Sequence, residues 1–228
     1  MKRKVNIIPL RTVPPLMIMV LLHGAAFYGT RLITADMKHH DIALSADYML
    51  PLIPAFIAIY VLAYIQWAAG YLLLCRGDRE LFSEMLAGNI ITKIICIVIF
   101  IVLPTAMVRP EVTGSGIFNG MVRLIYSLDT PDNLFPSLHC VESWFTFRCA
   151  LKMRKPGRWY TVVSFVFTLL VFASVVFVKQ HRLADIAGGI LVLEAGMFIS
   201  KKIGAGRLLE RLCRVRVGGS PGNGPASN

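Results

Sequence analysis

Long apolar segments separated by short polar stretches are the dominant pattern of this chain. Six such segments can be distinguished, and most approach the roughly 20 residues that a helix needs to cross a bilayer. The fourth and the sixth are the shortest. The pattern therefore predicts an all-α membrane protein, a bundle of six transmembrane helices. The segments cover about residues 15–33, 50–75, 86–103, 135–151, 159–178 and 183–199.

The composition agrees with a membrane-embedded protein. Hydrophobic residues make up 56% of the 228 residues, the mean hydropathy is +0.64, and only 16% of the residues are charged. Soluble domains contain about 25% charged residues. We expect one membrane domain over residues 1–203 and a cytoplasmic tail over residues 204–228, which is basic at first. Between Gly218 and Pro225 the tail lacks apolar residues and is expected to be disordered.

The first apolar segment has two features of a signal peptide. It follows a basic start, Lys2-Arg3-Lys4, and it contains small residues from Gly24 to Ala26. The apolar run nevertheless continues through Phe27 and Tyr28. A retained first transmembrane helix is therefore predicted.

The distribution of positive charge predicts the orientation. The net charge of +11 could suggest a nucleic-acid partner, but most Lys and Arg residues lie in short segments beside the apolar runs. Positive residues collect on the cytoplasmic side of membrane proteins. If the N-terminus is inside and Lys93 is counted on neither side, seventeen Lys and Arg residues lie inside and six outside. This bias predicts that both termini are cytoplasmic. It also explains the net charge without a nucleic-acid partner, so none is expected. The six outer residues are Arg31, Lys38, Arg109, Arg123, Lys179 and Arg182.

This orientation brings several polar residues to the same, outer level of the membrane. They come from the end of the third segment, the start of the fourth, and the loop between the fifth and the sixth. Ionisable groups at membrane boundaries are costly and usually functional. The residues are Arg109, Pro110, Pro136, Ser137, His139, Lys179, His181 and Asp185.

Local spacing indicates what these residues can do. His181 and Asp185 are four residues apart, so on a helix they share a face, and a carboxylate beside an imidazole fixes its tautomer. That arrangement suits a nucleophilic histidine. Ser137 and His139 flank a helix start, where free backbone N–H groups favour an anion. With positive charge from nearby cations, the spacing predicts a phosphate pocket between two imidazoles.

These motifs resemble the type-2 phosphatidic acid phosphatase family, whose fold is shared with vanadium haloperoxidases. The family pattern has three parts. The first is a Lys separated by six residues from Arg-Pro, and the second is Pro-Ser-x-x-x-His or Pro-Ser-x-His. The third is Ser-Arg, followed after five residues by His and after three more by Asp. Pro136-Ser137-Leu138-His139 matches the second part. Ser174, His181 and Asp185 match the third at the right spacing, and Arg109-Pro110 matches the end of the first.

The resemblance covers roughly residues 97–196, with two departures. The first lysine of the pattern is replaced by Val102, and the arginine of the third part by Val175. Lys179 follows Val175 by four residues, so on a continuous helix it would share the same face. The resulting Lys179-Gln180-His181 variant is similar to members grouped with inositol phosphorylceramide synthase and sphingomyelin synthase, which transfer phosphoryl head groups between lipids.

The resemblance also implies a mechanism. His181 attacks phosphorus and forms a phosphohistidine, and Asp185 orients His181. His139 protonates the leaving alcohol and then acts as the base for water or an acceptor alcohol. Neither a metal nor another cofactor is expected. The resemblance assigns the phosphate oxygens to Arg109, Ser137 and Lys179, and makes Ser174 a possible supporting residue. Glu142 is a second possible supporting residue: it lies one turn after His139 and either orients it or is a buried carboxyl bonded to a neighbouring helix.

The function predicted from the sequence is metal-independent hydrolysis of a lipid phosphate monoester or diphosphate, at the extracytoplasmic face of the plasma membrane. Three alternatives stay open: a lipid head-group phosphotransferase, a zinc hydrolase using His139, His181 and Asp185, and a small transporter. The transporter is suggested by ionisable residues within the apolar segments. Among these we expect Lys93 and Glu194 to pair. We also expect His23 and Gln66 to form hydrogen bonds between helices. The oligomeric state is left open.

Overall fold

The computed structural model describes residues 8–215, and this part of the chain is all-α apart from two isolated β-bridges. The helices are numbered here in chain order. They are α1 Leu10–Thr34, α2 Ser45–Met49, α3 Pro54–Arg76, α4 Arg79–Val102, α5 Ile117–Leu128, α6 Leu138–Lys152, α7 Arg158–Phe177, α8 Leu183–Ile203 and α9 Ala205–Val215. The first turns of α1 and α3 are 3-10 helix, and Ala25–Gly29 within α1 is π-helix.

Five helices within residues 8–215, namely α1, α3, α4, α7 and α8, are long and apolar enough to cross a membrane. These candidate spans indicate a multi-pass integral membrane protein. The predicted fourth segment forms α6, a helix of 15 residues. At 1.5 Å per residue it is about 22 Å long, which is shorter than the hydrocarbon layer of about 30 Å.

α6 lies inside the bundle, where it packs against α3, α7 and α8. Nearly all side chains in its first half are buried. A helix that starts below the membrane surface must be preceded by irregular backbone, and such backbone is tolerated at that depth when protein surrounds it. The bundle thus places the start of α6, with His139 in its first turn, among neighbouring helices.

Helix ends follow local sequence signals. The predicted third segment begins earlier than expected, because Asp78 caps α4 by accepting a hydrogen bond from the Leu81 N–H at 3.0 Å. Gly204 ends α8 at a φ of +68°, a left-handed conformation that suits glycine. The predicted basic tail begins with a helix, α9, that packs against α4. The Gly218–Pro225 stretch, predicted to be disordered, lies outside the described residues.

Close approach of α4 and α8 forms the largest helix–helix contact of the bundle. Gly196 of α8 faces Thr92 of α4, and Gly88 of α4 faces Met197 of α8. A Cβ atom at either glycine would collide with the opposing residue. Small residues of this kind let membrane helices pack closely.

Three connecting loops meet at one end of the bundle. His40 forms a bridge with Thr105, and Ala106 forms one with Asp132. The Ile53 N–H donates to the Phe177 carbonyl, which ties the segment before α3 to the end of α7. The loops that carry the predicted site residues are therefore close together, as the sequence predicted.

Candidate active site

A cavity of about 240 Å³ lies at this end of the bundle. Three imidazoles line it, from α1, from α6 and from the loop between α7 and α8. Its wall also includes aromatic side chains of α1 and α3 and polar residues of the loop before α6. The lining residues are His23, Gly24, Phe27, Tyr28, Arg31, Tyr64, Trp67, Asp129, Asp132, Asn133, Leu134, Leu138, His139 and His181.

His181 and Asp185 form the predicted pair. The His181 Nδ1 atom lies 3.1 Å from Asp185 Oδ2, and the Asp185 side chain is completely buried. The same oxygen accepts a hydrogen bond from the Arg182 N–H at 2.8 Å, at the start of α8. Asp185 is thus fixed within the first turn of α8, which begins at Leu183. Its contact favours the His181 tautomer with the proton on Nδ1, which leaves the Nε2 lone pair free for nucleophilic attack.

His139 lies across the cavity from His181, with 6.5 Å between the ring centroids. Its ring stacks on Tyr60 at 4.1 Å and meets the rings of Trp67 and Tyr64 edge-on at 4.9 and 5.5 Å. Only 8% of the residue is exposed. These aromatic contacts fix the orientation of the imidazole. Because both imidazoles line one cavity, both can contact a single phosphoryl group there.

Ser137 determines where α6 begins. Its Oγ accepts a hydrogen bond from the Cys140 N–H at 3.3 Å, and its own N–H donates to the Asp185 carbonyl at 3.2 Å. Ser137 is fully buried and is not among the residues that line the cavity. Through these two bonds it holds the first turn of α6, and with it His139, beside α8.

Arg109 lies behind the loop that carries His181, not in the cavity wall. Its Nη2 donates to the Gln180 Oε1 at 2.5 Å, and its Nη1 donates to the Asp129 carbonyl. Its guanidinium lies 4.7 Å from the centre of the Tyr126 ring. Burial lowers the pKa of Arg109 from its usual value. Arg109 thus brings positive charge next to His181 without lining the cavity itself.

Lys179 also lies outside the imidazole cavity. Its Nζ donates to the Leu50 carbonyl at 2.6 Å and to the Asp47 carbonyl at 3.2 Å. It lines a separate surface pocket of about 530 Å³ together with Arg109 and Arg182. Partial burial, followed by repulsion from Arg182, lowers the pKa of the Lys179 ammonium. The structure does not bring this predicted phosphate ligand to His181.

The two predicted supporting residues differ in position. The Ser174 Oγ donates to the Val171 carbonyl of its own helix at 2.8 Å and is fully buried away from the cavity. The Glu142 carboxylate lies in a buried polar cluster below the cavity, 2.7 Å from Lys93 Nζ and 3.7 Å from His23 Nδ1.

Two predictions about buried polar residues can be compared with these contacts. The expected pairing of Lys93 with Glu194 is wrong, because Lys93 pairs with Glu142 and Glu194 pairs with Arg148 at 3.1 Å. The expected hydrogen bond of Gln66 is confirmed, since its Nε2 donates across to Thr168 Oγ1 of α7 at 3.0 Å.

The contribution of α1 to this site was not predicted from the sequence. Arg31 Nη2 lies 2.6 Å from Asp129 Oδ1, and Arg31 Nε lies 2.5 Å from Asp132 Oδ1. These ion pairs fasten the loop before α6 to α1 and close one side of the cavity. No spacing rule connects α1 with such distant residues, so the sequence offered no signal for these contacts.

A metal site requires several ligand side chains close together. Among residues 8–215, no group of three or more His, Cys, Asp and Glu side chains has an arrangement that could bind a metal ion. The proposed zinc ligands His139, His181 and Asp185 therefore do not form such a group in this part of the chain.

Comparison with known proteins gives one match. Residues 50–199 match the family model described as the PAP2 superfamily. No curated protein and no solved structure matched the chain. The matched stretch runs from the start of α3 almost to the end of α8 and includes His139, His181 and Asp185. Because it covers about two thirds of the 228 residues, the chain belongs to the PAP2 superfamily.

Proposed function

We propose that this protein hydrolyses a lipid phosphate monoester or diphosphate through a phosphohistidine on His181. Membership of the PAP2 superfamily suggests activity of the lipid phosphate phosphatase type and a lipid phosphate substrate in the bilayer. One observation carries the proposal: the His181 imidazole, held at Nδ1 by Asp185, lines the same cavity as His139. This arrangement supplies a nucleophile and a proton donor on two sides of one phosphoryl group.

The proposed reaction has two steps. His181 Nε2 attacks phosphorus while the bond to the leaving oxygen breaks, and His139 donates a proton to that oxygen. Water then attacks the phosphohistidine and gives up a proton that restores His139, while the P–N bond breaks and its electron pair returns to His181 Nε2. Arg109, which is bonded to Gln180 directly before His181, favours the negative charge that develops on the phosphoryl oxygens.

We propose roles for Ser137 and Lys179 that differ from direct phosphate binding. Ser137 fixes the first turn of α6, and Lys179 ties the loop of His181 to the segment between α2 and α3. Both residues then support the two imidazoles by holding their backbone. Glu142 belongs to the polar cluster below the cavity.

The role of Lys179 can be tested through its charge and its reach. Lys179→Met should lower kcat/KM by about tenfold, because two carbonyl groups lose a charged donor worth roughly 1.5–3 kcal/mol, only part of which reaches the transition state. Lys179→Arg should keep most of the activity. The measurement is hydrolysis of a soluble short-chain phosphatidic acid in micelles. Wild-type activity in Lys179→Met would exclude a role of this lysine in the site.

We also propose six membrane spans with α6 as the fourth, both termini in the cytoplasm, and the cavity open to the outside at the plasma membrane. The charge distribution along the sequence supports this orientation. A reporter fused after Asn228 should remain cytoplasmic, and Asp132→Cys should react with an impermeant thiol reagent added outside intact cells. Labelling of Asp132→Cys only after permeabilisation would reverse the orientation.

The proposed chemistry predicts a particular inhibitor pattern. Activity of the purified protein on a panel of lipid phosphates should survive EDTA and fall with orthovanadate, which mimics the five-coordinate phosphoryl transition state. Loss of activity in EDTA with recovery in Zn²⁺ would instead favour the zinc hydrolase.

A lipid phosphotransferase is the second candidate function, and the Lys179-Gln180-His181 variant favours it. The two candidate functions differ in the molecule that attacks the phosphohistidine, which is water in the hydrolase and an acceptor alcohol in the transferase. Product analysis with a labelled lipid phosphate and excess inositol, glycerol or ceramide separates them. We expect free phosphate as the main product. Transfer of the label mainly to an acceptor, with free phosphate at background, would replace the hydrolase by the transferase.

A further inference from the structure

A third imidazole, His23 of α1, lines the cavity together with His139 and His181. It lies outside the stretch 50–199 that matches the family. One third of its side chain is exposed, which leaves one edge of the ring accessible. Two residues further on, Ala25–Gly29 form a π-helix, a rare distortion that is frequent at functional sites.

A carboxylate lies behind this imidazole. The Nδ1 atom of His23 is 3.7 Å from Glu142 Oε1, within the range of an ion pair once the ring is protonated. Glu142 also accepts a hydrogen bond from the Tyr71 hydroxyl at 3.0 Å and lies 2.7 Å from Lys93 Nζ. The arrangement resembles that of His181 and Asp185 in that a buried carboxylate lies near Nδ1 of an imidazole in the cavity wall, although 3.7 Å is longer than the 3.1 Å contact of that pair.

The free-energy cost of burying the charges of Lys93 and Glu142 argues against a purely structural role of this cluster. The Lys93 side chain is completely buried and that of Glu142 is 4% exposed. A buried ion pair is often no more stable than apolar residues of the same volume. Ionisable residues at membrane depth are usually functional. His23, in the wall of the cavity, lies 3.7 Å from Glu142 of this pair.

His139 lacks such a partner. Its Nε2 is buried without a hydrogen-bond partner among the described residues, and its ring packs against Tyr60 and Trp67. Within residues 8–215, the imidazoles of the cavity that have a carboxylate within 4 Å are His181 and His23. A carboxylate stabilises the imidazolium that forms when a histidine accepts a proton. His23 is therefore better placed than His139 to act as a base.

We propose that His23 is a catalytic residue that accepts the proton in the second half of the reaction, and that Glu142 is its positioning residue. This rests on the proposed phosphohistidine mechanism. The O–H of water, or of an acceptor alcohol, transfers its proton to His23 Nε2 as the O–P bond forms. The P–N bond breaks, and its electron pair stays on His181 Nε2. The proton then passes through the cavity to His139, which lost one to the leaving alcohol, so both histidines are restored.

Charged groups lie in the cavity wall beside His23 and in the cluster below it. The wall contains two carboxylates, Asp129 and Asp132, and one guanidinium, that of Arg31. Below the ring, the charges of Glu142 and Lys93 balance each other. Asp129 and Asp132 are thus the negative groups in the cavity wall that can compensate an imidazolium there, and Arg31 is the cation paired with both of them.

The test separates formation of the phosphohistidine from its breakdown. The full chain in detergent micelles is mixed with ³²P-labelled dioctanoyl phosphatidic acid, quenched in acid within milliseconds, and analysed for protein-bound label. In His23→Gln, label should appear at the wild-type rate but disappear about 100-fold more slowly, the lower range for loss of a general base. His39→Gln is the matched control, because His39 lies outside the cavity wall and forms an exposed hydrogen bond with the Met37 carbonyl in its own loop; it should behave as wild type.

The role of the cluster needs its own variant, because replacement of one charge alone can unfold the protein. The neutral double variant Lys93→Met/Glu142→Gln keeps the charge balance and removes the carboxylate from His23. It should also accumulate label. Breakdown at the wild-type rate in His23→Gln overturns the proposal, and so does equal slowing of formation and breakdown, which would indicate a structural role.

A second measurement distinguishes failure of this proposal from failure of the proposed function. Diethyl pyrocarbonate modifies accessible imidazoles, and mass spectrometry locates the modified residues. Orthovanadate should protect His23 together with His139 and His181. Protection of His139 and His181 without His23 overturns the role of His23 alone. If orthovanadate protects none of them, the phosphoryl site itself is wrong and both proposals fall.

Discussion

His181→Ala should abolish the phosphoenzyme with every substrate, whereas His139→Ala should lose it only with substrates that have a poor leaving group. The first change removes the atom that bonds to phosphorus. The second removes a general acid, which is worth about 10²–10⁴ in rate. An aryl phosphate leaves without protonation and should therefore still phosphorylate His139→Ala. The measurement is protein-bound label after an acid quench, with a phosphatidic acid and an aryl phosphate compared side by side.

The two variants share a suitable control in His39→Ala, which removes an imidazole from the exposed loop after α1. It should form the phosphoenzyme at the wild-type rate. If His139→Ala and His181→Ala respond alike to the aryl phosphate, the roles assigned to them are incorrect. A phosphoenzyme in His181→Ala would mean that another residue is the nucleophile.

Lys93→Met should have the largest effect on stability. Removal of one partner of a buried ion pair costs about 3–5 kcal/mol, because the other charge stays buried without compensation. Domains are stable by only about 5–15 kcal/mol, so much of the protein should fail to fold. Glu142→Gln should behave similarly, and the double variant Lys93→Met/Glu142→Gln should recover most of the loss. Thermal unfolding in detergent, followed by size-exclusion chromatography, measures the effect.

An exposed ion pair of the same protein provides the comparison. Lys152 Nζ lies 2.7 Å from Glu84 Oε1, and both side chains are more than one third exposed. Pairs of this kind contribute about 0–1 kcal/mol, so Lys152→Met should change the unfolding temperature little. Similar stability of Lys93→Met and Lys152→Met would show that the buried pair does not hold the bundle together.

The sequence predicted those parts of the site that depend on short spacing. His181 and Asp185 are in contact as predicted, although α8 begins at Leu183 and His181 lies in the loop before it, so the two residues do not share a helix face. Ser137 caps the helix that carries His139 because its position in the motif places it directly before the first turn. The predicted apolar segments each contain a helix for the same reason, since hydrophobic length is a local property. The amphipathic helix α5 was missed, although its apolar residues recur at helical spacing.

The prediction for Lys179 was wrong because it assumed that the helix of Val175 continues to residue 179. Lys179 was expected to continue the face of Val175, but α7 ends at Phe177 and Lys179 has a φ of +53°. The chain turns there, and the lysine side chain points to carbonyl groups near α3.

Contacts between distant segments could not be predicted at all. The partner of Lys93 depends on how side chains of three helices meet: Glu142 of α6 pairs with Lys93 of α4, whereas Glu194 of α8 pairs with Arg148 of α6. The contribution of His23 and Arg31 depends on the packing of α1 against α4. One sequence contains no direct record of these neighbours.

The size of the imidazole cavity has a consequence for the kinetics. At about 240 Å³ it is smaller than most pockets that enclose a whole small molecule. A lipid can therefore insert its phosphate end while its acyl chains remain in the bilayer. Tyr28 of α1 and Tyr64 of α3 line this cavity and are 65% and 51% exposed, so their rings are accessible at its rim. The rate then depends on the surface density of the substrate in the membrane. Inert lipid added to the same membrane should therefore slow turnover. Dilution of the vesicles in buffer should leave the rate per enzyme unchanged.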